Sequence, residues 1–153
     1  MPASSAAPVT RIAEEIEAVQ VLLQLVESEQ QTLLQAAGID ELQGITVKKT
    51  EVVGRIGDLT RFRYTTLSHQ GYRADEAGMR DWMADVSDPA IRERWEFLLS
   101  VARKIKVLNQ MNGQLIAKLM SQNQTILDVL GITARGAGLY GSDGRPQGFG
   151  YLK

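Results

Sequence analysis

Between Asp88-Pro89 and Gly131 the sequence contains nothing that stops a helix except Gly113. At the α-helical rise such a run is roughly 63 Å long. One stripe of it reads Ile91, Trp95, Leu98, Ala102, Ile105, Asn109, Asn112, Ile116, Leu119, Asn123, Ile126 and Leu130. The steps alternate between four and three residues, the repeat of helices wound around one another. A rod of that length with one apolar seam is not stable by itself, so the rest of the chain must supply its partners. An acid before a proline, as in Asp88-Pro89, is also the clearest helix start in the sequence.

Those partners are legible upstream. Ile12, Ile16, Val19, Leu23, Val26 and Leu33 form a heptad-like face, with Gln30 in the same stripe and Leu22, Leu25 and Leu34 widening it. A helix is predicted over 10–37, capped by Thr10 and ended by Gly38. Glu14, Glu15 and Glu17 suit its positive dipole end. Asp40 restarts a helix after a very short loop, which makes the two antiparallel neighbours. Leu42, Ile45, Val52, Ile56, Leu59 and either Phe62 or Arg63 carry its stripe to about Ser68. The β-branched residues between Ile45 and Val53 make a strand the rival reading there, and Gly54 and Gly57 each cost a helix about 1 kcal/mol. No turn signal divides the segment into strand-sized pieces, so helix is preferred, with the glycines allowing close helix approach. Beyond Gly71, a short helix over 75–86 places Met79, Trp82, Met83 and Val86 on one face.

The fold expected is therefore all-α: an elongated antiparallel bundle of three long helices plus one short helix. Residues 1–9 are expected to be a flexible N-terminus, 10–131 the helical domain, and 132–153 a flexible glycine-rich tail.

Composition excludes several function classes. There is no cysteine, hence no disulfide framework and no thiolate metal site. The net charge of -1 lacks the basic balance of a nucleic-acid binder. No stretch reaches the length of a membrane span, and the first residues lack the pattern of a signal peptide, so a cytoplasmic location is expected with no membrane insertion. Charge is uneven: residues 1–39 carry one base and five acids, whereas 89–131 carry six bases and three acids. That pattern fits packing between complementary helices. His69 is the only histidine, so a paired-histidine metal bundle and a histidine-activated nucleophile are both disfavoured. No metal or other cofactor is expected, and no enzymatic activity. Gly136-Ala137-Gly138-Leu139-Tyr140-Gly141 has the form of a dinucleotide-binding loop, but a strand must precede that loop and a helix follow it. Trp82 and Trp95 read as core anchors.

Two features point instead to protein binding. Asn109, Asn112 and Asn123 interrupt the long seam; such amides either fix register, bond a partner's backbone, or sit at the edge of the stripe in water. Beside the seam, Leu108, Met111, Leu115, Leu119 and Met120 make a second apolar strip. It is either ordinary core or a surface whose methionines adapt to a partner helix. If the shorter hairpin packs against the start of the rod, the turns from Leu119 to Leu130 overhang and expose Ile126, Leu127 and Leu130.

Arg94-Trp95, the run Leu108-Asn109-Gln110-Met111-Asn112-Gly113, Asn123, and Leu139-Tyr140-Gly141-Ser142-Asp143-Gly144 together resemble the C-terminal half of the FlgN family of flagellar export chaperones. The resemblance covers about residues 92–145. It implies a cytoplasmic helical chaperone that binds the disordered C-terminal segments of the hook–filament junction proteins FlgK and FlgL and escorts them to the export gate, where FlhA receives them. Client binding would fall on the last helix. The positions so implied are Leu108, Met111, Asn112, Leu115, Ile116 and Leu119, continuing through Met120, Asn123, Ile126, Leu127 and Leu130. Tyr140 would be the docking residue for the gate. The competing expectation is a coiled-coil protein that covers its own overhang by self-association.

Overall fold

A computed structural model of the chain describes residues 7–35 and 38–122. Among them are four helices and no strand: α1, Ile12–Gln35; α2, Ile39–His69; α3, Glu76–Asp85; and α4, Pro89–Gln122. The stretch that could have been a strand is helical throughout. Its β-branched residues find ordinary helical positions: Val52 and Val53 are half-buried against the core, and Thr46 and Thr50 bond carbonyls one turn back.

The helix ends follow the sequence signals. Gly38 and Gly71 adopt the left-handed conformation, at φ 93° and 86°. Around Gly71 the chain closes a Schellman turn, in which the amides of Gly71 and Tyr72 reach the carbonyls of Ser68 and Leu67. The Asp75 side chain caps α3 by accepting from the Gly78 amide at 2.8 Å. The Asp88 side chain accepts from the Ala90 amide at 2.9 Å at the start of α4, with Pro89 in the first turn. Gly78 is sterically required: a Cβ there would land on the backbone carbonyl of Arg73. The expectation for Gly54 and Gly57 fails, because a Cβ at Gly54 would meet nothing and one at Gly57 only the end of the Arg61 side chain.

The long helices pack up-down-up. Contacts at matched levels show this: Glu15 of α1 meets Arg63 of α2, which stacks on Trp95 of α4, while farther along Glu29 meets Lys49, which reaches Asn109. α2 is thus antiparallel to both others, and the short α3 turns the chain back at one end. Residues 7–11, just ahead of α1, are fastened to it. Pro8 and Val9 are buried, and amide bonds from Thr10 to Ala7 and from Ile12 to Val9 wind the chain into a turn ahead of α1.

The main core is aliphatic, from Ile12, Val19, Leu22 and Val26 on α1 across to Ile56, Leu59 and Leu67 on α2 and Leu98, Ala102 and Ile105 on α4. Trp95 is buried; Trp82 is half-buried, with its indole donating to Gln70 Oε1 at 2.9 Å. At the far end of the bundle a second, small cluster has Leu33, Leu42 and Ile116 buried.

Candidate functional site

α4 presents two faces. The seam predicted from the sequence is the inner one: Trp95, Leu98, Ala102, Ile105, Asn109, Asn112 and Ile116 are all buried. Counting by helical steps, Phe97, Lys104, Leu108, Met111 and Leu115 share a second face that flanks the seam. There Phe97 is 45% exposed, Val107 56% and Met111 46%. Leu108 and Leu115 are half-buried at its margin. Between this side and α1 runs a shallow open groove walled by Leu23, Val107 and Leu108 and rimmed by Glu27, Arg103 and Lys104. From Phe97 to Gln122 the helix carries Arg103, Lys104, Lys106 and Lys118 and no acid. Among the described residues the surface is therefore apolar and exposed, bordered by these bases on α4 and by Glu27 across the groove.

The residues expected to bind a client divide accordingly. Leu108, Met111 and Leu115 lie on or beside the outer face. Leu119 and Met120 are half-buried around the small far-end cluster. Asn112 and Ile116 face inward, and a client could reach them only if the bundle opened. Asn123, Ile126, Leu127, Leu130 and Tyr140 lie outside the described residues, as do the glycine motif at 136–141 and most of the expected overhang.

The asparagines are buried, so the water-edge reading of Asn109 and Asn112 fails. Asn112 Nδ2 donates to the Val26 carbonyl at 3.0 Å and to Glu29 Oε1 at 2.8 Å. Lys49 Nζ donates to both Glu29 oxygens, at 3.0 and 3.1 Å, and to Asn109 Oδ1 at 3.3 Å. Three helices are thus tied at one level by charge-assisted bonds. Burial pushes the Lys49 ammonium below its ordinary range, and Glu29 opposes that.

A second buried layer lies nearer the other end. Arg63 donates through Nε to Glu15 Oε1 at 3.3 Å and through Nη1 to Glu76 Oε1 at 3.2 Å, where Tyr64 also donates at 2.6 Å. The guanidinium sits over the rings of Trp95 and Tyr64. Burial pushes the Glu15 carboxyl up to about 7, against the pull of Arg63. Burial and the neighbouring Glu76 raise Tyr64.

Of these four charged core residues the sequence offers only Arg63, as an alternative to Phe62, for a stripe position; Glu15, Glu29 and Lys49 escape it, although a signal is present. Glu15, Val19, Leu22, Val26, Glu29 and Leu33 step by four and three as regularly as any apolar stripe. An acid at a stripe position reads as solvated unless a base stands at the matching level of the neighbouring helix.

Among the described residues no group of three histidines, cysteines or acids is placed to hold a metal, and no helix is long and apolar enough to cross a membrane.

Comparison with known proteins agrees with the residues that first suggested a relationship. A family model described as FlgN protein matches residues 1–148. A protein of Yersinia enterocolitica named Flagella synthesis protein FlgN is 30% identical over 145 residues, covering 94% of this chain and 91% of that protein. The protein of the same name from a Yersinia enterocolitica strain of serotype O:8 / biotype 1B matches to the same extent. No solved structure matches the chain.

Proposed function

Starting from the fact that the chain belongs to the FlgN family, we propose that it acts in flagellar assembly as a non-enzymatic cytoplasmic export chaperone. Its clients are the disordered C-terminal segments of the junction proteins FlgK and FlgL. It keeps them from assembling early and delivers them to the export gate, where Tyr140 docks on FlhA.

The observation that carries this reading is the outer face of α4, apolar along Phe97, Val107 and Met111 and basic at its border. An exposed apolar strip with helical spacing receives an amphipathic helix by laying it into the groove. A client helix that buries four to six aliphatic side chains there gains roughly 6–18 kcal/mol gross. Ordering a disordered segment consumes about 2–5 kcal/mol of that. Association consumes more, which leaves micromolar to nanomolar binding, tight enough to protect a client and loose enough to release it. The bases favour a client segment carrying carboxylates.

Pull-down with FlgK and FlgL tests the site. Val107→Asp with Met111→Asp places two charges on the outer side, so binding is expected to be lost while helix content by circular dichroism persists. Binding that survives puts the client elsewhere. Tyr140→Ala is expected to leave client binding intact and to impair export; loss of both would make the tail part of the client site. An obligate dimer in sedimentation at low concentration, with the same α4 face buried, would favour the self-associating coiled coil.

A further inference from the structure

The apolar core is interrupted along the bundle axis. Its large part extends from Val9 to Val26 on α1, with Trp95 to Ile105 beside it on α4. Its small part consists of Leu33, Leu42 and Ile116, with Leu115, Leu119 and Met120 packed around them. Between the two lies the Glu29–Lys49–Asn109–Asn112 layer, which cuts all three long helices at one level. Asn112 Oδ1 is buried there with no hydrogen-bond partner, so the layer is itself incompletely satisfied.

The tip beyond the layer is thinly held. Apolar burial stabilises in proportion to area, and among the described residues three apolar side chains, Leu33, Leu42 and Ile116, are buried there. On the α1–α2 side the helices are parted by an open groove lined by Gln31, Thr32, Gly44, Ile45 and Lys48. Leu34, on the same turn as Leu33, is 65% exposed. Regions with few buried apolar contacts open at lower free energy than the core to which they are attached.

We infer that the buried Glu29–Lys49–Asn109–Asn112 layer is the boundary of a tip, residues 31–35, 40–46 and 113–122, that opens as one unit while the rest of the bundle stays folded, so that Leu33, Leu42 and Ile116 become available to the client helix. The occupant rests on the function proposed above; the opening does not. The layer is suited to this role because its bonds lock register without extending apolar packing across the boundary. Opening would turn Ile116, the inward-facing position of α4 within the tip, toward a ligand.

Hydrogen exchange on the free, full-length chain decides the first half. Amides in 42–46 and 116–120 are expected to exchange about tenfold or more faster than those in 56–67 and 98–105, with a step at the layer. Leu33→Ala, on α1, should accelerate the tip segments of α2 and α4 by the same factor. Leu22→Ala should accelerate the core amides and leave the tip unchanged. Equal effects of Leu22→Ala on both regions would overturn the inference, because the bundle would then open only as a whole. No response of 42–46 and 116–120 to Leu33→Ala would also overturn it, because the helix ends would then fray separately. Adding the C-terminal segment of FlgK tests the second half: protection of 42–46 and 116–120 is expected. Binding with no protection there overturns the tip as the client's seat. No binding at all counts against the proposed function, and the exchange on the free chain still judges the opening.

Discussion

The two buried polar layers are built on one plan and behave differently. Glu15 and Glu29 on α1, Arg63 and Lys49 on α2, and Trp95 and Asn109 on α4 are each separated by two heptads, roughly 21 Å along a helix. Each layer takes an acid from α1, a base from α2 and a third wall from α4. In the first the wall is aromatic, the base is a guanidinium, and α3 contributes Glu76. In the second the walls are amides and the base is an ammonium. The pairing teaches that register is set twice: a slip of one heptad would leave both acids facing apolar side chains. Burial raises the Glu15 carboxyl in the first layer and lowers the Lys49 ammonium in the second.

Breaking the aromatic layer should have the largest effect. Arg63→Ala leaves Glu15 buried without its cation and is expected to cost about 3–5 kcal/mol in urea unfolding. If the loss is below about 1 kcal/mol, the pair is not buried as described here.

The contrast in titration comes next. With its folded pKa near 7 and a reference value of 4.5, Glu15 binds a proton more tightly in the folded state. Its contribution is fully present below pH 4.5 and lost as pH rises through 7, on the order of 3 kcal/mol in all. Lys49 has the opposite slope: its folded pKa lies below 10.5, so the unfolded chain holds more protons in that interval and stability rises with pH across it. Chemical denaturation between pH 5 and 8 with Glu15→Gln as control sharpens the comparison, since the variant should flatten the slope in that window. A slope unchanged by Glu15→Gln would assign it to another group.

Asn112→Ala should cost about 1–3 kcal/mol, because Glu29 loses a donor inside the bundle. Asn112→Asp, placing a second carboxylate beside Glu29, should cost more than the alanine, and the reverse order would show that the amide is not bonded to Glu29. The smallest effect is expected where charges meet in water. Arg61 pairs with Asp58 one turn away on the exposed side of α2, and Arg61→Ala should change stability by about 0.2–0.5 kcal/mol.

Much of the architecture was legible because apolar spacing and punctuation agree. Asp88-Pro89, Asp75 and Gly38 mark boundaries within a residue or two, and the seven members of the predicted α4 seam from Trp95 to Ile116 are buried. The charged interior was not legible, because a lone Glu at a stripe position is indistinguishable from a solvated one until the base opposite is known. The N-terminal turn was missed for a similar reason: nothing in Pro8-Val9 announces that it packs. Of the candidate site, the apolar strip beside the seam was visible in the sequence. Which of its members face outward depends on how α4 is rotated against α1, and sequence periodicity leaves that angle open by about one residue. Hence Met111 could be named together with Asn112 and Ile116, although the fold puts the first on the outer side and the other two within.

The corner at Gly78 links the surface to the interior mechanically. Only a hydrogen atom fits against the Arg73 carbonyl, so a methyl group there would lever the short helix away from its neighbour. That helix carries Met79 and Met83 into the core and holds Glu76 against Arg63. A change as slight as Gly78→Ala, far along the chain from Glu15, would therefore be felt as a loosened guanidinium, and the acidity of a carboxyl on the opposite helix would report the geometry of a turn it never touches.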